Sequence, residues 1–201
     1  MKYTWNNLLA SALVLYAATA AHAEPGRFMD MHTSAKAPIG YVQFCHDNAR
    51  SCPDDTYDPV VVRLNEALWD QLIAVNKDVN HRIRPMTDKD LFGKEEYWTY
   101  PINGYGDCEE YVLEKQRVLL EAGWPRSALL ITVAKDVQNS GHAVLTVRTD
   151  HGDMILDNQV EAVLPWYSTP YRYIKRQSAD SAMKWTGISD TRVTTVSSVS
   201  R

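Results

Sequence analysis

"GYGDCEEYVLEKQRVLLEAGWP", residues 104–125, places a cysteine at the mouth of a helix among three carboxylates. Asp107 is a good N-cap, and Glu110, three positions on, completes a capping-box pattern. Tyr111, Val112, Val118, Leu119 and Ala122 form an apolar face, and Gly123 with Pro125 ends the run. The spacing predicts a helix over 108–122 that opens on Cys108. Downstream the period changes from helical to alternating. "ALLITVAKDV", "HAVLTVRT" and "DMILDN" read as short strands, with "DHGD" turning between the last two.

Upstream, Asp58-Pro59 reads as an N-cap with proline at the first helical position. Val61, Leu64, Leu68, Leu72 and Val75 follow at helical spacing, predicting a helix over 59–80. Residues 81–106 are polar and turn-rich. Residues 24–57 read as irregular, with a strand-like run "IGYVQFC". "AVLPWYSTPYRYIKRQ" holds a further strand, in which "RYIKR" reads as a solvated face. A Ser/Thr-rich tail begins near Thr186. With no internal repeat and no second composition regime, the chain reads as one α+β domain over 24–185. Its helices come first and pack on an antiparallel sheet, and residues 186–201 form a loose tail.

The first residues read differently. Lys2, the apolar run "LLASALVLYAATA" and the small-residue "AHA" have the layout of a secretory signal cleaved after Ala23. The apolar run is about 13 residues, shorter than the roughly 20 a bilayer span needs. The expected location is therefore periplasmic or secreted. A net charge of −4 gives no basic surface for nucleic acid.

Three cysteines are an odd count for an exported chain. Cys45 and Cys52, close together in "FCHDNARSCP", either pair in an oxidising compartment or remain two buried thiols; pairing is favoured. Cys108 is then left alone. A lone cysteine is more often a small buried hydrophobe. A nucleophilic one needs its thiolate. The positive end of a helix and a nearby imidazole can supply it. His142 heads one strand and Asp157 closes the next, so a Cys–His–Asp set is available. In that set the carboxylate would orient the imidazole, and the helix-start N–H would face an oxyanion. His142 could equally be a satisfied core histidine, and Asp157 an Asx-turn residue. A tight "DHGD" hairpin would put Thr146 opposite Asp157 and Glu161 opposite His142; a wider loop or a bulge would restore Asp157. Trp98 and Tyr100 read as packing residues before cleft residues, and Asn103 as a turn residue before an oxyanion donor. His46, His81 and His151 read as surface residues.

Trp98 with Pro101, "GDCEEY", "AGWP", "HAVLTV", "ILDN" and the upstream "VNKDVNHRIRP" together resemble the bacterial transglutaminase-like cysteine peptidases, the family of the periplasmic LapG proteases. The resemblance covers about residues 60–175. It implies a papain-like or transglutaminase-like core with Cys108, His142 and Asp157 as catalytic residues, and a hairpin that brings Asp157 to the histidine. It also implies calcium held by Asp107 and Glu109, with no organic cofactor. Glu110 departs from the shorter aspartate usual there. A cation beside Cys108 would offset the penalty that its acidic neighbours impose on a thiolate. Further implications are a protein substrate such as a surface adhesin, a link to biofilm release, and control by an inner-membrane receptor. The same thioester chemistry with an amine acceptor would make a transglutaminase. A third reading keeps the fold as a non-catalytic binding module.

Overall fold

Asn65, not Asp58, starts the long upstream helix. The Asn65 side chain accepts the Leu68 N–H at 2.8 Å, and α2 runs Glu66–Arg82 in the computed structural model, which describes residues 26–192. The predicted first turns at 59–64 are not helical. Val62 bridges Thr149, bonding Arg148 and Asp150 through its backbone at 3.0 and 2.9 Å. A local proline signal lost to this long-range pairing. The expected signal segment 1–23, and most of the expected tail, lie outside the described residues.

In chain order the other elements are β1 (Met31–Ala35), α1 (Ile39–Asp47), β2 (Arg84–Pro85), α3 (Asp88–Phe92), β3 (Tyr105–Gly106) and α4 (Cys108–Glu121). They continue as β4 (Leu129–Lys135), β5 (Gly141–Thr149), β6 (Gly152–Leu156), β7 (Leu164–Pro165), β8 (Arg172–Ser178) and β9 (Ser181–Ile188). Seven strands form one antiparallel sheet in the order β1-β9-β8-β4-β5-β6-β7. The short β2 and β3 pair in parallel just before Cys108. This is the expected mixture of helices and antiparallel sheet.

Three expectations change. "IGYVQFC" is α1, not a strand, because Gly40, Tyr41, Phe44 and Cys45 bury one helical face. A Cβ on Gly40 would lie 2.3 Å from Trp98 Cδ1, so only glycine lets this helix meet the indole. "RYIKR" is the start of a central strand rather than a solvated face; Tyr173 and Arg176 are buried in it. The sheet also continues past residue 186: β9 ends at Ile188, and Arg192 donates to the Tyr171 carbonyl at 2.6 Å.

The core lies on both sides of the sheet. Under α4, Val112, Leu113 and Leu119 share a cluster with Ile131, Leu145, Val147 and Leu156. Val144, Ile155, Tyr171 and Tyr173 share the second cluster with Met29 and Trp166. Strand alternation explains the split, since neighbouring residues face opposite sides. Cys45 and Cys52 are bonded to each other, which ties the end of α1 to the following turn and leaves Cys108 as the free thiol. No helix among the described residues is long and apolar enough to cross a membrane.

Candidate active site

Cys108 is the first residue of α4, where the backbone N–H groups have no partners in the helix. The capping box forms as the sequence predicts. Glu110 is fully buried, and its two oxygens accept the Asp107 N–H at 2.8 Å and the Thr99 N–H at 3.1 Å. Glu110 folds against Gly106, where a Cβ would sit 2.4 Å from the Glu110 Cβ. That contact fixes how the chain enters the helix and where Cys108 stands.

The thiol is half-buried and donates to Glu109 Oε2 at 2.9 Å. Burial pushes the Cys108 thiol up, the carboxylates of Glu109 and Asp107 push it further, and the Ala143 N–H opposes them. Burial, followed by Asp107, also raises Glu109. Cys108 therefore meets β5 at Ala143, the residue after His142, and its hydrogen bond goes to Glu109 rather than to the imidazole.

His142 and Asp157 are brought together. His142 Nε2 lies 2.9 Å from Asp157 Oδ1, and both side chains are sealed from solvent. The hairpin that achieves this is tight, contrary to the wide loop expected. Thr149 pairs with Gly152 and Leu145 with Leu156, so Asp157 falls in line with Val144. It reaches His142 as a diagonal neighbour on the same face, a separation that side chains span. Neither a bulge nor a longer loop is needed. Glu161 points away to Lys77 and His81.

Asp157 is held on all sides. Its Oδ1 also accepts the Gln159 N–H at 3.0 Å, its Oδ2 accepts the Tyr171 hydroxyl, and its carbonyl accepts Asn80 Nδ2 at 2.8 Å. Burial works to raise its carboxyl, but the hydrogen bonds of His142, Tyr171 and Gln159 outweigh it and hold the carboxyl below its ordinary value. An ionised carboxylate only accepts, so His142 Nε2 must donate; in the neutral form of the imidazole the lone pair is then on Nδ1. Gln159 Nε2 lies 3.4 Å from that nitrogen. Tyr171, Gln159 and Asn80 were not expected from sequence.

Lys115 is a further group that sequence reading missed. It lies seven residues along α4 from Cys108 and is buried, and burial drives its ammonium down to about 7 against the charge of Asp157. In the unfolded chain a lysine titrates near 10.4. Between these values the unfolded chain holds the proton and the folded chain does not, so this group makes stability rise with pH across that window. Lys115→Met should therefore stabilise most below about pH 7, with the gain shrinking toward about pH 10. Urea unfolding of both proteins across that range checks it; a gain independent of pH would contradict the assignment.

The acidic neighbours form two overlapping groups. Ligand atoms of Asp107, Cys108 and Glu109 lie within 4.8 Å of one another, and so do those of Asp88, Asp107 and Glu110. Burial raises Asp88 to about 6 and Glu110 to about 8, with Asp107 adding to both. Asp88 Oδ1 and Asp107 Oδ1 are buried without a hydrogen-bond partner. Buried anionic oxygens left without donors fit a hard cation.

The remaining candidates are structural. Trp98 is buried against Tyr41, and Asn103 takes a left-handed turn conformation at φ 55°. His46, His81 and His151 are exposed. Tyr100 borders an open groove of about 500 Å³ with Pro101, Arg82 and Arg117. That groove touches neither Cys108 nor His142.

The family described as bacterial transglutaminase-like cysteine proteinase matches residues 31–193. Among solved structures, EGTA-treated LapG of Legionella pneumophila is similar at 27% identity and a TM-score of 0.51, covering 63% of this chain and 69% of that one. A second LapG structure from Legionella pneumophila gives 28% identity and a TM-score of 0.51, covering 62% and 70%. A calcium-bound form of LapG from the same organism gives 23% identity and a TM-score of 0.48, covering 76% and 90%. No curated protein matches the chain.

Proposed function

The chain belongs to the bacterial transglutaminase-like cysteine proteinases, and from that premise we propose that it is an exported thiol endopeptidase working through Cys108, His142 and Asp157. The observation that carries this reading is the buried His142–Asp157 pair at 2.9 Å, set one residue from the Ala143 N–H that meets the Cys108 thiol. Cys108 Sγ attacks a scissile carbonyl while its proton passes to His142 Nδ1. Asp157, kept ionised, holds Nε2–H and stabilises the imidazolium. The N–H groups at the start of α4 face the oxyanion. The C–N bond breaks as His142 returns the proton to the leaving amine, giving a thioester. Water then displaces Sγ, releasing the acid product and restoring the thiol.

Asp107 and Glu109 would hold a calcium ion, which would supply positive charge beside the thiol. The orphaned Asp107 oxygen and the raised Glu109 carboxyl support this fit. The substrate class is a cell-surface or periplasmic protein such as an adhesin, and an inner-membrane receptor is the matching regulator. The signal-like first 23 residues and the family resemblance support these assignments.

Alkylation by iodoacetamide tests the thiol–imidazole coupling without knowledge of the substrate. At about pH 7 with calcium present, His142→Ala should slow modification of Cys108 at least about a hundredfold, the lower side of what a positioned base contributes. Equal rates in the two proteins would remove His142 from the mechanism. Release of a substrate fragment, rather than a cross-linked product, separates hydrolysis from amine transfer.

A further inference from the structure

We propose that Gln159 is a further residue of the catalytic site: its side-chain amide holds His142 Nδ1 in the resting protein and must turn aside before the Cys108 thiol can pass its proton to that nitrogen. This rests on the Cys108–His142–Asp157 reading above and adds the group that decides when thiol and imidazole meet.

Gln159 lies three residues past the end of β6. Continuing the β5–β6 register puts it directly opposite His142, while Asp157 reaches the ring diagonally. The two halves of the residue do different things. Its backbone N–H donates to Asp157 Oδ1 at 3.0 Å, which anchors the residue beside the pair. Its side chain goes to the other ring nitrogen, with Nε2 3.4 Å from Nδ1. The His142 side chain is 1% exposed, whereas Gln159 is an exposed residue. The amide therefore stands between a buried reactive nitrogen and the solvent side of the site.

The sense of that contact follows from the far side of the ring. Asp157 accepts from Nε2–H, so Nδ1 of the neutral imidazole is an acceptor and the Gln159 NH2 is its donor. Once Nδ1 carries a proton, the same NH2 would face another donor. The contact thus favours the neutral histidine and opposes the imidazolium that the thiol must create.

The thiol is turned elsewhere in the same structure. Cys108 Sγ donates to Glu109 Oε2 at 2.9 Å and meets the Ala143 N–H, one residue from the imidazole it is expected to use. One nitrogen has two claimants, and the amide holds it. A contact of 3.4 Å is at the long end for a hydrogen bond, so it is readily given up. An exposed amide can also exchange it for water. Rotation about the glutamine side-chain torsions frees Nδ1 without breaking the backbone bond to Asp157, so the His142–Asp157 pair stays intact as the thiol takes its place.

The test follows alkylation of Cys108 by iodoacetamide at about pH 7 with calcium present, on the chain from residue 24. Wild type, Gln159→Met, His142→Ala and the double variant are compared. Methionine fills similar space without an N–H, and the backbone N–H that anchors Asp157 is kept. Gln159→Met should react about three- to tenfold faster, the range that one net hydrogen bond spans. In the His142→Ala background the same substitution should change nothing. A rise in both backgrounds would mean that Gln159 only shields the thiol, and would overturn the inference. A slower Gln159→Met would also overturn it, since the amide would then be turning its oxygen to the imidazolium. A wild-type rate in Gln159→Met, with His142→Ala slowed, overturns the role of Gln159 and leaves the triad standing. Equal rates in wild type and His142→Ala overturn both. Nitrogen NMR of the histidine rings gives a second readout that loosened packing would not mimic. Gln159→Met should move the His142 Nδ1 resonance and leave Nε2 in place; an unmoved Nδ1 would overturn the contact.

Discussion

Asp157→Ala is expected to lower kcat/KM by about three to four orders of magnitude, with the fold retained, while Asp157→Asn loses markedly less. The difference follows from who donates to Asp157. In triads where an asparagine can turn its amide toward the imidazole, the histidine is locked in the wrong tautomer. Here the Gln159 N–H and His142 Nε2 both meet Oδ1. A backbone N–H cannot become an acceptor. The asparagine must therefore keep its oxygen at that position and turn its NH2 toward Tyr171, whose hydroxyl can accept instead. The imidazole stays in the productive tautomer and loses only the negative charge that stabilises its protonated form. Alanine removes both charge and tether, and leaves the Gln159 amide and the Tyr171 hydroxyl without their partner. Steady-state kinetics on a cleaved protein substrate, with circular dichroism as a fold control, reads both variants. Equal losses in the two would show that Gln159 does not set the orientation.

The parts of this site visible in the sequence are those set by short-range signals. The capping box at Asp107 and Glu110 is a four-residue pattern, and the structure contains it. The change from helical to alternating period places α4 before the hairpin of β5 and β6. Asp157 also fills both roles that the sequence left open: it makes an Asx-type bond to Gln159 N–H, and it accepts from His142. The position of the turn hid this: with Thr149 paired to Gly152 the loop is Asp150-His151, which puts Asp157 in line with Val144 instead of Thr146 and makes it a diagonal neighbour of His142. Asp157 is two places short of the position directly across from His142, and its side chain crosses that gap.

What was illegible depends on distant partners. "IGYVQFC" has strand-like composition, and it becomes helical because Trp98, far along the chain, packs on Gly40. The strands β1 and β9 pair ends of the domain more than 140 residues apart, for which no local pattern exists. Tyr171 reaches Asp157 from the segment before β8, and Asp88 reaches Asp107 from α3. In sequence these are an ordinary tyrosine after a proline and an ordinary helix-start aspartate. Burial gives them their chemistry, and burial is a property of the assembled chain.

Asp153 shows the same point with the opposite outcome, and its replacement by alanine should cost about 3–5 kcal/mol of stability. It is four residues before Asp157 on the same face of β6, in the same "DMILD" run, yet it touches nothing in the active site. Its Oδ2 accepts Arg176 Nη1 at 2.7 Å and the Met29 N–H at 2.9 Å. Arg176 reaches it from β8 across β4 and β5, over the Thr132–Thr146 hydroxyl pair at 2.6 Å. Arg148 Nε is a looser neighbour at 3.5 Å. Asp153 is 0% exposed and Arg176 3%, so alanine leaves a guanidinium buried without its counter-ion. At about 2–4 °C per kcal/mol for a chain of this size, the melting temperature should fall by about 6–20 °C. The double variant Asp153→Ala, Arg176→Met should recover much of that loss, because a buried pair replaced by apolar groups is often neutral. Activity per folded molecule should stay near wild type in both, since the triad residues keep their partners. Thermal unfolding followed by kinetics on the folded fraction measures this. A small shift would mean that water reaches Arg176 when Asp153 is absent. A large loss of activity at full folding would mean that β6 transmits strain from Asp153 to Asp157.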